Sequence, residues 1–158
     1  MLRPLLTILV ACLPLVAQAA APRLTEPEVR SFVERQSRAW NAGDLAGYFG
    51  LFTADARFTD QARARDGRVV PYGTSSVPQA RTQAMRFFAG SKVVETTAIR
   101  QIALAPDGRA ARVVSDEVSI LTGAGRRRRE CAERVQTVVQ TPAGLRSKGQ
   151  TDTLVRCR

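Results

Sequence analysis

Three glycine-bearing turn signals, Pro106-Asp107-Gly108, Gly123-Ala124-Gly125 and Pro142-Ala143-Gly144, cut the second half of this chain into four long runs. Each run is rich in β-branched residues, and a tight turn joins strands as antiparallel neighbours. The runs 92–104, 109–121, 126–140 and 145–157 are therefore expected to form a four-stranded antiparallel meander. Such a sheet must bury one face, and the apolar material to cover it lies in the first half of the chain.

That first half reads as helices. Thr25 and Glu28 make a capping box, Pro27 sits in the first turn, and Val29, Phe32, Val33 and Trp40 recur at helical spacing up to a stop at Asn41-Ala42-Gly43. Asp44 caps a second, shorter helix with Leu45, Tyr48, Phe49 and Phe52 on its apolar face, closed by Asp55. Arg57-Phe58-Thr59-Asp60 then reads as a short strand, Asp66-Gly67 as a turn, and Val69-Val70-Pro71-Tyr72 as a further extended piece. Ser76 with Gln79, and Pro78 in the first turn, opens a third helix that carries Val77, Ala80, Ala84, Met85 and Phe88 and ends at Gly90. Helices first and a meander afterwards make an α+β domain, with its helices on one face of a curved sheet.

Ahead of these elements stands Arg3, an apolar stretch at 5–16, and Ala17-Gln18-Ala19, the small-x-small pattern accepted by signal peptidase. The stretch is too short to span the roughly 30 Å hydrocarbon core of a bilayer, so residues 1–20 are expected to be a cleaved signal peptide rather than a membrane span. A periplasmic or secreted domain over 21–158 follows, a length suited to one core. Leu9-Val10-Ala11-Cys12 supports a rival reading, a lipobox that leaves a lipoprotein anchored at Cys12. The mature chain keeps Cys131 and Cys157, an even count in an oxidising compartment, which points to one disulfide. If Gln140 faces Leu145 across the last turn, Cys131 falls opposite Leu154, so the bridge needs a β-bulge or a bend near the strand ends.

The charge is lopsided, with 24 Lys and Arg against 14 Asp and Glu and a formal net charge of +10. The arginines are scattered rather than interleaved with aromatics, a poor match to a nucleic-acid partner. Solvated surface, with weak contact to anionic envelope surfaces as the minor alternative, fits them better. Arg126-Arg127-Arg128-Arg129 reads as a solvated strand start that discourages edge pairing.

The run Trp40-Asn41-Ala42-Gly43-Asp44-Leu45, then Leu51-Phe52 and Asp55-Ala56-Arg57-Phe58-Thr59-Asp60, resembles the opening of the nuclear transport factor 2-like superfamily, which includes SnoaL-like polyketide cyclases and steroid delta-isomerases. The resemblance implies a cone: a strongly curved, mainly antiparallel sheet wrapped around the long first helix, three helices in all, and a pocket at the open end. It implies no one activity, because members include isomerases, cyclases, dehydratases, binding modules and oligomerisation domains. Against the steroid-isomerase pattern the proton-shuttling aspartate falls on Asp60, whereas the oxyanion-binding tyrosine falls on Gln36 and the second acid falls near Gln136. Loss of one oxyanion donor typically costs about 10² to 10³ in rate, so these two replacements argue against steroid isomerisation. The chain has no histidine, which excludes an aspartate-histidine pair and any histidine-ligated metal.

Within that cone, Trp40, Tyr48, Phe52, Tyr72 and Phe88 are the expected pocket aromatics, each equally at home in a plain core. Gln36 interrupts an apolar helix stripe, either as a polar contact in the cavity or as a satisfied core glutamine. Asp60 is either a general base raised by desolvation or a strand-end aspartate bonding a loop amide. Asp116-Glu117 sends one acid to each face of its strand, within reach of a neighbour such as Arg134. No metal site, cofactor motif or phosphate-binding loop is legible. Two functions follow: binding of a small apolar ligand in the cone, with Asp60 as the proton carrier of any catalysis, or a non-catalytic module that forms a homodimer or docks through its sheet.

Overall fold

The helices begin where the caps place them. In a computed structural model that describes residues 23–157, the Thr25 amide donates to the Glu28 carboxylate at 2.8 Å, and helix α1 runs Glu26–Asn41. Asp44 Oδ1 accepts the Gly47 amide at 2.8 Å and opens α2, Leu45–Phe49. The Ser76 amide donates to Gln79 Oε1 at 2.9 Å and opens α3, Val77–Gly90. The proposed signal segment and Cys12 lie outside the described residues, and among the described residues no helix is long and apolar enough to cross a membrane.

Six strands complete the chain: β1 Phe52–Arg63, β2 Val69–Ser76, β3 Ser91–Leu104, β4 Ala110–Gly123, β5 Arg126–Thr141 and β6 Gly144–Val155. They form one sheet in the order β2-β1-β6-β5-β4-β3. All pairs are antiparallel except β1 with β6, which is parallel. The α+β cone with three helices among the described residues and a curved, mainly antiparallel sheet is thus the architecture observed.

Two elements differ from the sequence expectation. The second helix is shorter and the first strand much longer: Phe52, expected on the helix, is the first residue of β1, and Asp55, expected to close the helix, lies inside that strand. Gly47 and Gly50 weaken further helix, while Leu51 offers its carbonyl to the Ser147 amide at 2.8 Å, so the backbone hydrogen bonds of this segment go to the sheet. Met85 is exposed rather than packed.

Bulges shape the sheet. The β5/β6 pairing slips by one between Gln136 and Val138, which sets Cys131 opposite Val155 rather than Leu154. The chain then leaves the strand, and Cys131 and Cys157 form a disulfide with Cα atoms 5.2 Å apart. Gly149 (φ +126°) sits where a Cβ would meet the Arg57 carbonyl oxygen at 1.9 Å, so only glycine allows β1 to close on β6 there.

The core has two parts. Leu24, Val29, Phe32 and Val33 pack on Ala111, Val113 and Val138 at the closed end of the cone. Tyr48, Phe49, Phe52, Ala56, Phe58 and Ala84 form a second, aromatic group where α2 and α3 meet β1.

Candidate functional site

Between the two core groups the inner face of the sheet turns polar. Strand alternation aims Glu95 of β3, Glu117 of β4, Arg134 of β5 and Asp152 of β6 inward, with Asp60 of β1 beside Asp152 in the β1/β6 register. These acids and the aromatics of α1, α2 and α3 wall an open cavity of about 400 Å³. Among the described residues, no group of three or more His, Cys, Asp or Glu side chains is placed to hold a metal ion.

Arg134 organises this wall. Its Nε and Nη2 donate to the two Asp152 oxygens at 2.7 and 3.1 Å, a bidentate fork. Its Nη1 donates to Glu95 Oε1 at 3.0 Å and stands 3.7 Å from Glu117 Oε1. Burial alone works against this guanidinium, but Asp152, Glu95 and Glu117 together hold its proton well above the usual range. The acids are braced in turn: Ser119 donates to Glu95 at 3.1 Å, and Ser115 and Thr97 each donate to Glu117 at 2.6 Å. Glu117 is still pushed up, by burial first and then by Glu95, against the pull of Arg134 and its two hydroxyl donors.

Tyr48 ties the helices to this layer by donating to Gln150 Oε1 at 3.2 Å. Its phenol is raised strongly by burial, with Glu95 and Asp152 adding to it and Arg134 and the Gln150 hydrogen bond opposing, so it stays a neutral donor.

Asp60 is different. Among the described residues it has no cation within 4.0 Å and makes no side-chain hydrogen bond. Its carboxyl is raised by burial and then by the charge of Asp152, with Arg134 pulling the other way. It sits at the β1/β2 bulge between Asp60 and Gln61, opposite Gly73, where a Cβ would come to 3.4 Å of its Oδ2. A bulge of this kind re-aims a side chain, and the glycine keeps the approach to the carboxylate clear. A half-buried carboxyl with a raised proton affinity and no internal partner can accept, hold or return a proton.

Of the residues singled out in the sequence, Trp40, Tyr48, Asp60 and Tyr72 line the cavity, Tyr72 at the mouth with 61 % of its surface exposed. Phe52 and Phe88 stand one layer back: Phe52 packs at a tilt against Phe58, ring centroids 4.7 Å apart, and Phe88 meets Trp40 edge to face at 5.0 Å. Gln36 is buried and does not reach the cavity. It faces a separate void of about 10 Å³ together with Gln136, behind Tyr48, Glu95, Arg134 and Gln150, which border both spaces. Gln36 Nε2 and Gln136 Oε1 find no partner among the described residues. Gln36 and Gln136 thus line one small void, and neither lines the cavity that holds Asp60. Phe58, Phe87, Glu95, Gln150 and Asp152 also line the cavity without having been singled out.

No family model matches the chain, and no curated protein sequence is similar to it. Solved structures are. A ketosteroid isomerase-like protein from Erwinia carotovora atroseptica superposes with a TM-score of 0.64 at 10% identity, over 83% of this chain and 96% of that one. The β subunit of the benzoate 1,2-dioxygenase from Burkholderia mallei gives 0.66 at 10% identity, over 85% and 93%. ActVI-ORFA from Streptomyces coelicolor gives 0.60 at 17% identity, over 81% and 95%. At these identities the likeness is one of fold alone, and that fold is the nuclear transport factor 2-like one expected from the sequence.

Proposed function

We propose that this chain is an exported small-molecule-binding domain, residues 21–158 after loss of the 1–20 signal, and that its ligand sits in the cone beside Asp60. One observation carries the reading: an open cavity of about 400 Å³ with aromatic walls and a single carboxylate that has no partner among the described residues. Cavities of this size with a few convergent polar groups are the usual small-molecule sites. The disulfide is compatible with an oxidising, extracytoplasmic location. Trp40, Tyr48 and Tyr72 supply the apolar surface, and Gln36 takes no part. The raised proton affinity of Asp60 supports a second reading, in which the bound molecule loses or gains a proton there, in the manner of an isomerase or cyclase.

The test is a thermal-shift screen of a metabolite library against the mature protein and a variant with the cavity filled by Ala84→Phe, Ala84 being buried in the wall. Compounds that raise the melting temperature of the first and not of the second are the expected result. A library in which no compound distinguishes the two overturns the reading. Turnover of a hit that disappears in Asp60→Asn, while the hit still binds, assigns the catalytic version.

A further inference from the structure

We infer that the molecule this cone accepts is an organic cation, an amine carried on an aromatic or apolar body. The inference rests on the binding reading above and adds the charge of the ligand to it.

The chain as a whole has a formal net charge of +10, yet its cavity has the opposite sign. Asp60, Glu95, Glu117, Glu130 and Asp152 line it, against Arg134 alone. Glu130 is matched by Arg128 at 2.8 Å from the rim. Arg134 is already shared among Asp152, Glu95 and Glu117, so it cannot also serve a ligand anion. Other arginines have been kept out: Arg63, Arg65, Arg129 and Arg156 border a separate groove. An acidic interior in a basic protein selects for positive charge at the point of binding, where solvent screening is weakest.

Geometry narrows this further. Asp60 and Asp152 face each other across the β1/β6 register, and only Asp152 has a guanidinium. A cation placed against Asp60 relieves that repulsion and gives the lone carboxylate the partner it lacks. Trp40 and Tyr48, with rings 4.9 Å apart, and Tyr72 at the mouth supply aromatic surface for the same charge and for the body that carries it. Aromatic walls, and the absence of a three-ligand acid group among the described residues, favour an ammonium over a bare metal ion.

Three probes that share one ring system and differ in charge separate the outcomes: tryptamine, 3-methylindole and indole-3-acetate, titrated calorimetrically into the mature protein at pH 7. Tryptamine is expected to bind about ten-fold or more tighter than 3-methylindole, with indole-3-acetate weakest. Asp60→Asn is expected to abolish the preference for tryptamine while leaving 3-methylindole unchanged, and Asp60→Glu to retain part of it. The charged and titratable groups that face Asp60 are Asp152, Arg134 and Tyr72; burial and Asp152 raise the proton affinity of the Asp60 carboxyl, so it loses its charge as the pH falls and tryptamine affinity is expected to drop with it. Equal or tighter binding of 3-methylindole or indole-3-acetate overturns the cation and leaves the cavity reading intact. If none of the three binds, the cation inference falls and the cavity reading rests on the library screen; if Ala84→Phe binds them as well as the native chain does, both readings fall.

Discussion

The two ends of the cone are built from the same helix and the same strands, yet they obey different rules. At the closed end Val29, Phe32, Val113 and Val138 have no exposed surface, and every inward position is apolar or small. Two turns further along α1 and a few residues further along each strand, the inward positions become Gln36, Gln136, Glu95, Glu117, Arg134 and Asp152. Hydrophobic burial is non-directional and tolerant, so the closed end can hold the fold together on its own. Buried charges need exact partners and gain little net stability even when they have them, so the layer near the open end marks where the fold has given up stability for a shaped, charged chamber.

The largest expected effect tests that contrast directly. Phe32→Ala at the closed end should cost about 3–5 kcal/mol by leaving a cavity. Arg134→Met should cost about as much, 3–5 kcal/mol at pH 7, because Glu95, Glu117 and Asp152 are left together without their cation. Urea unfolding at pH 7 and at pH 4 tells the two apart. The cost of Phe32→Ala should be the same at both values, whereas that of Arg134→Met should shrink at pH 4, because the Glu117 carboxyl, already raised by burial and Glu95, takes up a proton more readily once Arg134 is gone. A cost for Arg134→Met that ignores pH breaks the distinction between the ends.

A smaller effect concerns how the rim of the chamber is held. The bridge between Cys131 and Cys157 closes a separation of 26 residues and pins the end of β6 to β5. Replacing both cysteines by serine should cost about 3 kcal/mol through the freedom returned to the unfolded chain. Amide hydrogen exchange should rise first at residues 150–157, the stretch that carries Asp152, and last in α1. Uniform acceleration across the molecule would mean that the open end is not the weaker one.

How far the sequence foretells this arrangement depends on whether the governing contact is local. Thr25 with Glu28, Asp44 with Gly47 and Ser76 with Gln79 lie within one helical turn of each other, so all three helix starts are legible. The meander is legible for the same reason, since each turn fixes the register of its own hairpin, as Gln140 opposite Leu145 shows. β1 is not, because half of its pairings are with β6, some 90 residues away. The charged layer is lost to a single slipped residue. An unbroken β5/β6 register places Arg134 opposite Thr151 and turns Asp152 to the other face; the slip between Gln136 and Val138 brings Asp152 opposite Arg134. The two cysteines call for a bulge or a bend near the strand ends, but nothing in the composition of that segment places it between Gln136 and Val138. Gln36 illustrates a different gap: helical periodicity gives the face on which a polar residue lies, not which of two neighbouring hollows it enters.

The smallest effect, and the one closest to the proposed function, belongs to Asp60→Asn. The folded protein raises the proton affinity of this carboxyl, through burial and the nearby Asp152, above that of the unfolded chain. Below the unfolded value of about 3.9 the group is protonated in both states and contributes no difference. As the pH rises past that value the unfolded chain releases its proton first, so the native protein loses stability until the folded group has ionised as well. Asparagine carries no such penalty, and Asp60→Asn should therefore melt slightly higher than the native protein at pH 7, by under about 1 kcal/mol because the group is only half-buried. The difference should vanish near pH 3.5. A cationic ligand reverses the order at pH 7, since it stabilises only the chain that keeps the carboxylate. If Asp60→Asn melts lower than the native protein at pH 7 without ligand, Asp60 is a structural strand-end residue, and the open end has given up no stability there.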